Sequence, residues 1–183
     1  MRLLVTGYGP FSGFDTNPSQ AIAERVAEGL GAELGVLEVS FQAVDRFLED
    51  PVWGRVDAAL LLGVAGGRHR PRIERLAYNE IGPHPDVAGE NREGPIAPGA
   101  PMVLGQTLVR LGRSVRPLGW SLDPGRYLCN YLMYGALHRH PGVASAFLHV
   151  VPEARMPLGA QADAIVGVFR HERPLLPGDT LWR

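Results

Sequence analysis

The chain has 183 residues, of which 45% are apolar and 20% are charged, and its formal net charge is −1. This length and composition predict a single globular domain over residues 1–183 and exclude disorder as its main state. The near-zero charge excludes a general attraction to nucleic acid or to an anionic membrane. All 18 basic residues are Arg, so chemistry that needs a lysine, such as Schiff-base formation, is also excluded.

The sequence contains one cysteine, Cys129. A single cysteine excludes an intrachain disulfide and a cysteine-based zinc site. No apolar run is long enough to span a bilayer, and the N-terminus lacks the apolar stretch of a signal peptide. We therefore expect a reduced, cytoplasmic setting.

Taken in chain order, short apolar runs alternate with segments of helical periodicity. Residues 2–6 predict a buried strand that leads into a glycine-rich loop over 7–14, and Ser19 predicts the N-cap of the first helix. The remaining predicted strands cover 34–40, 58–64 and 144–151, and the predicted helices cover 20–30, 42–49, 127–138 and 159–171. Such an alternation is typical of an α/β sandwich with a mainly parallel sheet.

The segment 80–105 is rich in Gly, Pro and Asn and has few periodic apolar positions. It predicts a long loop, and loops of that length are usually functional or disordered. The glycine-rich loop over 7–14 fits neither the dinucleotide-binding pattern nor the P-loop pattern. Phe11 and Phe14 in that loop are either core residues or two apolar faces for a ligand.

Cys129 is the first candidate for chemistry. A free cysteine is usually a buried core residue. Cys129, however, lies near the start of a predicted helix, where unpaired backbone N–H groups favour the thiolate. From the residues alone these two interpretations are evenly balanced.

His149 and Glu74 are the other candidates. His149 lies near the carboxyl end of an apolar strand, where α/β proteins place their sites, although a core histidine is the common alternative. Glu74 lies between Arg72 and Arg75, so it is either part of a surface ion pair or an acid that orients an imidazole. Spacing along the chain does not decide between them.

Four segments together carry a family resemblance. VTGYGPFSGFDTNPS, GVAGGRHRPRIERLAYN, YLCNYLMYGALH and AFLHVVPEA occur in this order over roughly residues 3–155. They resemble the segments of the pyroglutamyl peptidase I family of cysteine peptidases. The resemblance implies a three-layer α/β/α fold with a mainly parallel sheet, and a catalytic triad of Cys129, His149 and Glu74.

The resemblance also implies the reaction, which is hydrolysis of the bond after an N-terminal pyroglutamyl residue in peptides. No metal or organic cofactor is then required, and the protein is expected to form a homo-oligomer, a tetramer as in the family or a dimer. The oxyanion donors would be the Cys129 N–H and the turn at Gly66 and Gly67. The substrate-binding residues that follow from the resemblance are Phe11, Phe14, Asn17, Tyr127 and Leu128.

Three features depart from the family pattern. Val64 stands where the family usually has Gln, His84 is the nearest counterpart of a family arginine, and the segment before Cys129 is shorter. Two alternatives therefore stay open. One is nucleoside phosphorolysis on the same fold, with Arg68 near the glycine turn, and the other is a non-catalytic binding protein.

Overall fold

A computed structural model of the chain describes residues 1–11, 16–109 and 114–170. None of the helices within these ranges is long and apolar enough to cross a membrane. The helices are α1 (Pro18–Leu30), α2 (Phe41–Leu48), α3 (Leu128–Arg139) and α4 (Leu158–Phe169), with a short 3-10 turn at Pro51–Gly54. The strands are β1 (Leu3–Tyr8), β2 (Glu33–Leu37), β3 (Ala58–Val64), β4 (Arg72–Glu74), β5 (Leu76–Tyr78), β6 (Val103–Gly105), β7 (Gly119–Ser121) and β8 (Ala144–Val150).

Six of these strands form one sheet in the order β2-β1-β3-β8-β4-β7, and β5 pairs separately with β6. The neighbours in the larger sheet run parallel, except that β4 runs antiparallel to β8. The predicted, mainly parallel sheet is therefore confirmed.

The sheet is covered on both faces, which makes the three layers. Along β3, Leu60 and Leu62 pack into the core that α1 and α4 complete, whereas Leu61 packs into the core under α2 and α3. A central strand buried on both faces reads as a continuous apolar run rather than an alternating one. This is why the sequence predicts β3 to the residue.

The first helix is capped by Asn17 rather than by Ser19. The Asn17 side chain accepts a hydrogen bond from the Ser19 N–H at 2.9 Å, and Pro18 occupies the first turn, where its missing N–H costs nothing. Ser19 is instead buried inside the helix, and its hydroxyl accepts from the Tyr8 N–H at 3.0 Å. The predicted cap was wrong by two positions.

Other predicted bounds shift by a few residues. β1 runs on to Tyr8, because Gly7 and Tyr8 still pair with β2. The predicted strand 34–40 ends earlier, at Leu37, since the Ser40 side chain caps α2 by accepting from the Ala43 N–H. The last helix ends at Phe169, and His171 lies outside the described residues.

Sequence periodicity did not reveal the three-residue strands β4, β5, β6 and β7, because such short segments carry no period. The segment 80–105 is nonetheless tied down. Asn79 exchanges side-chain hydrogen bonds of 2.8 Å with the backbone of Ala97 in both directions, and the Tyr134 hydroxyl donates to the Pro101 carbonyl oxygen. Its last three residues form β6.

Arg92 anchors the middle of this segment. Its guanidinium lies 2.8 Å from Asp45 on α2, 2.7 Å from Glu90, and donates to the Tyr131 hydroxyl on α3. The loop between β5 and β6 is thereby fastened to the two helices of one sheet face. We call Arg92 with Asp45, Glu90 and Tyr131 the Arg92 cluster.

Candidate active site

Cys129 is the second residue of α3, which starts after an N-cap at Tyr127. The thiol is half-buried. The first four N–H groups of an α-helix have no partner within the helix, and they make its start a favourable place for negative charge. The sequence therefore located this cysteine correctly at a helix start.

His149 lies on β8, close to the carboxyl end of that strand, and its side chain interacts with Cys129 of α3. Its partner in β3 is Gly63. A Cβ atom at position 63 would lie 2.8 Å from the Cys129 Sγ and equally close to the Phe147 ring, a distance that real Cβ atoms do not show. Gly63 is thus required so that the thiol can approach the sheet beside His149.

Glu74 lies behind His149. Its Oε1 accepts a hydrogen bond of 2.7 Å from the His149 Nδ1–H. Because β4 runs antiparallel to β8, Glu74 stands directly opposite Phe147 and reaches His149 diagonally on the same face of the sheet. Glu74 is completely buried and His149 is 4% exposed. Glu74 is not part of a surface ion pair.

A third group contacts the carboxylate. The Arg68 Nη1 donates to the same Oε1 atom that His149 uses. The Arg68 Nη2 donates to the Ser121 hydroxyl at 3.0 Å and to the Asp123 carbonyl oxygen at 2.7 Å. All three acceptors are groups of the protein itself, so the guanidinium already has hydrogen-bond partners within the site.

The charges in this row raise the pKa of His149 to about 9. Burial by itself would lower it, because a buried imidazolium loses its hydration. The negative charge of Cys129 and its hydrogen bond, followed by the hydrogen bond and charge of Glu74, outweigh that penalty. His149 is therefore held as an imidazolium across the neutral pH range.

An apolar cavity of about 210 Å³ opens at the thiol. Of the predicted substrate-binding residues, Phe11, Asn17, Tyr127 and Leu128 line it, whereas Phe14 lies outside the described residues. Its full lining is Tyr8, Phe11, Asn17, Val39, Val64, Tyr127, Leu128 and Cys129.

Two of these residues also make hydrogen bonds that hold the surrounding structure in place. The Asn17 side chain caps α1 and donates to the Gly9 carbonyl oxygen at 3.0 Å, so its polar atoms are used within the protein. The Tyr127 hydroxyl donates to the Pro85 carbonyl oxygen at 3.0 Å. These contacts fix the cavity wall to the helix starts and to the loop after β5.

The sequence reasoning missed Tyr8 and Val39. The Tyr8 hydroxyl donates to the Leu128 carbonyl oxygen at 3.1 Å, beside Cys129. Burial, together with the negative charge of Cys129, raises the pKa of Tyr8 well above its usual value, so the phenol stays neutral. Its place in the glycine-rich N-terminal block, two residues before Pro10, was the available signal.

A second, larger cavity of about 490 Å³ shares Phe11 and Val64 with the first one. Gly66 lines it together with Thr16, Pro18 and Pro152. Gly66 and Gly67 are exposed and belong to the turn in which the Arg68 N–H bonds the Ala65 carbonyl oxygen.

The two residues that depart from the family pattern lie near the site. Val64 lines both cavities. His84 is exposed and contacts the Tyr127 ring edge-on, with 6.4 Å between ring centroids. Among the described residues, no group of three His, Cys, Asp or Glu side chains is arranged to hold a metal ion.

A half-buried thiol at a helix start, an imidazole beside it and a buried carboxylate behind the imidazole form the arrangement of a cysteine hydrolase. Here it stands at the carboxyl ends of parallel strands in a three-layer α/β/α fold. The class defined by fold and site is thus an α/β cysteine hydrolase.

Comparisons with known proteins give the particular family. The model of the pyroglutamyl peptidase family matches residues 1–156. The pyrrolidone-carboxylate peptidase of Pyrococcus furiosus is 37% identical over 177 residues, which cover 84% of this chain and 83% of that relative. The chain belongs to the pyroglutamyl peptidase family.

Solved structures agree with this assignment. The crystal structure of pyrrolidone carboxyl peptidase from Thermus thermophilus superposes with a TM-score of 0.81 at 34% identity and covers 92% of this chain and 99% of that one. Pyroglutamyl peptidase I from Bacillus amyloliquefaciens gives a TM-score of 0.78 at 25% identity, over 92% of this chain and 96% of that one. The predicted family and fold are therefore confirmed.

Proposed function

We propose that this protein is a cysteine exopeptidase that hydrolyses the bond after an N-terminal pyroglutamyl residue. The observation that carries the proposal is the row Cys129–His149–Glu74 at the mouth of an apolar cavity. The names of the relatives, which describe pyrrolidone-carboxylate peptidases, support the same substrate.

In the first half of the reaction, the Cys129 thiolate attacks the pyroglutamyl carbonyl carbon, and the new C–S bond pushes an electron pair onto the oxygen. When that pair returns, the C–N bond breaks. The His149 imidazolium gives its proton to the leaving nitrogen, which departs as a neutral amine. A thioester and a neutral His149 remain.

In the second half, neutral His149 takes a proton from water while the water oxygen attacks the thioester. The C–S bond breaks, which restores the thiolate and the imidazolium, and pyroglutamic acid leaves. Glu74 accepts from the His149 Nδ1–H throughout and holds the ring so that Nε2 faces the thiol. It stabilises the imidazolium without itself taking the proton.

The oxyanion of each tetrahedral intermediate needs hydrogen-bond donors. The Cys129 N–H at the second position of α3 has no partner within the helix and is the first donor we assign. The exposed turn at Gly66 and Gly67 is the predicted source of a second one.

The cavity suits a neutral lactam. Among the described residues that line it there is no carboxylate side chain, and Phe11, Val39, Val64 and Leu128 provide apolar surface. A pyroglutamyl ring carries no charged amine, so it enters without an ion-pair partner. A prolyl ring has the same shape but carries a cation, whose burial here would cost several kcal/mol.

Neither alternative function gains support from the site. Arg68 is the residue that left phosphorolysis open as an alternative. Its guanidinium donates instead to Glu74, to Ser121 and to the Asp123 carbonyl oxygen. A purely binding protein would not need the buried row of titratable groups.

The test is release of aminomethylcoumarin from its pyroglutamyl amide, with the prolyl amide as the matched substrate. We expect turnover of the first, little of the second, and complete loss after one equivalent of iodoacetamide. Equal rates on the two amides, or turnover that survives alkylation, would contradict the proposal. Turnover of inosine with phosphate would replace it with phosphorolysis.

Cytoplasmic location and a homo-oligomeric state stay predictions of the sequence. The edge strand β2 exposes Leu34 and Val36, which are 44% and 48% accessible and offer apolar surface for a second copy. Light scattering on the eluted protein measures the assembly directly.

A further inference from the structure

We propose that Arg68 is a positioning residue that supplies the permanent countercharge of Glu74 and thereby sets the pH range in which the Cys129–His149 pair is active. This inference rests on the proposed function, in which Cys129 and His149 form the catalytic pair. Its deciding measurement uses the thiol itself and needs no substrate.

The first observation is that two donors share one carboxylate oxygen. Glu74 Oε1 accepts from both the His149 Nδ1–H and the Arg68 Nη1–H. Glu74 Oε2 is buried and has no hydrogen-bond partner among the described residues. Every hydrogen bond that the structure records for this carboxylate therefore goes to Oε1.

Burial makes the countercharge necessary. An ionised carboxylate that is taken fully out of water costs several kcal/mol unless it is paired. His149 balances the charge of Glu74 only while it is an imidazolium; in the acyl-enzyme stage it has given away its Nε2 proton, so it keeps the Nδ1–H hydrogen bond to Glu74 but carries no charge. Arg68 remains charged through that stage, since a guanidinium does not lose its proton in proteins.

The guanidinium is itself held in place. Its Nη2 donates to the Ser121 hydroxyl and to the Asp123 carbonyl oxygen, while Nη1 donates to Glu74. The side chain of Arg68 is only 22% exposed. A planar group with separate donors can bridge these acceptors at once, whereas a lysine would bring one compact ammonium group.

The charged and titratable groups around His149 come from four places. Cys129 faces it from α3, and Glu74 and Arg72 face it from β4, where Arg72 stands opposite His149 in the register. Tyr8 lies beside Cys129 on β1 and Arg68 approaches from the loop after β3. Arg72 is a second fixed cation that stays constant when Arg68 is changed.

Removal of the Arg68 charge should shift the pH profile in a defined direction. A positive charge favours loss of protons from its neighbours, so its removal makes the thiol and the imidazolium hold their protons to higher pH. Both limbs of the pH profile should therefore move upward. A residue that merely tethers the 121–123 segment would lower activity without moving either limb.

The experiment measures the rate of iodoacetamide alkylation of Cys129 against pH by intact-protein mass spectrometry. Since the chain has one cysteine, the signal has a single source. We expect Arg68→Met to raise the pH at half-maximal rate by about one unit, Arg68→Lys to leave it near wild type, and kcat for the pyroglutamyl amide to fall in both variants.

Two controls separate charge from tethering. Arg75→Met removes a guanidinium next to Glu74 in sequence, but that group lies over the Trp120 ring, 6.0 Å from its centroid, so the midpoint should not move. Ser121→Ala removes one of the two acceptors that tether Nη2 and keeps the charge, so the midpoint should again not move. Arg68→Gln replaces Arg68→Met if the latter does not fold.

An unchanged midpoint in Arg68→Met or Arg68→Gln overturns the proposal, as does an equal shift in Arg75→Met. The proposed function fails separately. If the wild type alkylates with the expected pH dependence but does not cleave the pyroglutamyl amide, the substrate assignment is wrong and the role of Arg68 stands.

Discussion

The row Cys129–His149–Glu74–Arg68 and the Arg92 cluster are two buried or half-buried ionic groups that both contact α3. Cys129 stands at the start of that helix, and Tyr131 of the Arg92 cluster stands two residues further on. In each group an arginine pairs with a carboxylate, at Glu74 in one and at Asp45 in the other.

They differ in which members can change charge. His149 has its pKa raised to about 9 and adjoins a thiol that opens onto a cavity. Arg92 loses some hydration on burial, but its hydrogen bonds to Glu90 and Asp45 raise its pKa far above the neutral range, so its charge is permanent.

An arginine–carboxylate pair is therefore not by itself a sign of a catalytic site. The first group adds an imidazole that titrates within reach of working pH and a nucleophile beside it. The second adds aromatic rings, because the Arg92 guanidinium also lies over Phe41, 5.0 Å from the ring centroid. One arrangement moves protons and the other fastens a loop to two helices.

Cys129→Ala should distinguish the roles of the two groups most clearly. We expect turnover of the pyroglutamyl amide to fall roughly a thousandfold or more, since no other thiol can form the acyl-enzyme. The urea midpoint should hardly change, because the side chain is small and half-buried. Near-wild-type turnover would remove the chemical distinction between the groups.

The next effect distinguishes members within the catalytic row. His149→Ala removes the proton carrier and should cost about a hundredfold or more in kcat, whereas Glu74→Gln keeps a hydrogen-bond acceptor and should cost less. Steady-state kinetics on purified variants measures both. The reverse order would show that orientation by Glu74 matters more than proton transfer by His149.

Phe11→Ala tests the cavity rather than the row. We expect KM for the pyroglutamyl amide to rise roughly tenfold with little change in kcat, because an apolar wall contributes about 1–2 kcal/mol of uniform binding. Phe14→Ala is predicted from the sequence to behave similarly. A loss confined to kcat would place Phe11 in the chemistry instead of the pocket.

The pH profile tests the charge of His149. Because its pKa is raised from 6.5 to about 9, the imidazolium persists through neutral pH and is lost as pH rises through that value. Turnover should therefore fall on the basic side near pH 9. In Glu74→Gln the fall should begin at lower pH, since one of the groups that raise the pKa has lost its charge.

The smallest effect on turnover is expected in the other group. Arg92→Met should lower the free energy of unfolding by about 2 kcal/mol, the order for losing hydrogen bonds between charged groups. Alkylation of Cys129 should keep its pH dependence. Arg46→Met is the matched control, because its ion pair with Glu38 is exposed and should contribute less than about 1 kcal/mol.

Much of the fold could be predicted because its long elements carry strong patterns. β3 is a continuous apolar run, and α3 and β8 were placed within one residue at each end. Four blocks in order identified the family. The capping error at α1 arose because Asn17 and Ser19 are both good caps, and Pro18 decides between them only once its place at the first position is considered.

The candidate site was harder, because its geometry depends on residues far apart in the chain. Glu74 and His149 are 75 positions apart, and they meet through a three-residue strand that has no period to detect. Phe14 lies outside the described residues. The only signal for Tyr8 was its place in the glycine-rich N-terminal block, because an aromatic residue at a strand end is by itself usually core.

The family, the alternation of strands and helices, and the position of Cys129 at a helix start could all be predicted from the amino-acid sequence. These depend on local composition and on motifs that each lie within one segment. Three other facts are visible only in the folded protein: Arg68 and His149 donate to the same oxygen of Glu74, Gly63 leaves space for the thiol, and Glu74 is buried. Such facts depend on which strands become neighbours, and strand order and register follow from packing the whole sheet rather than from any one segment.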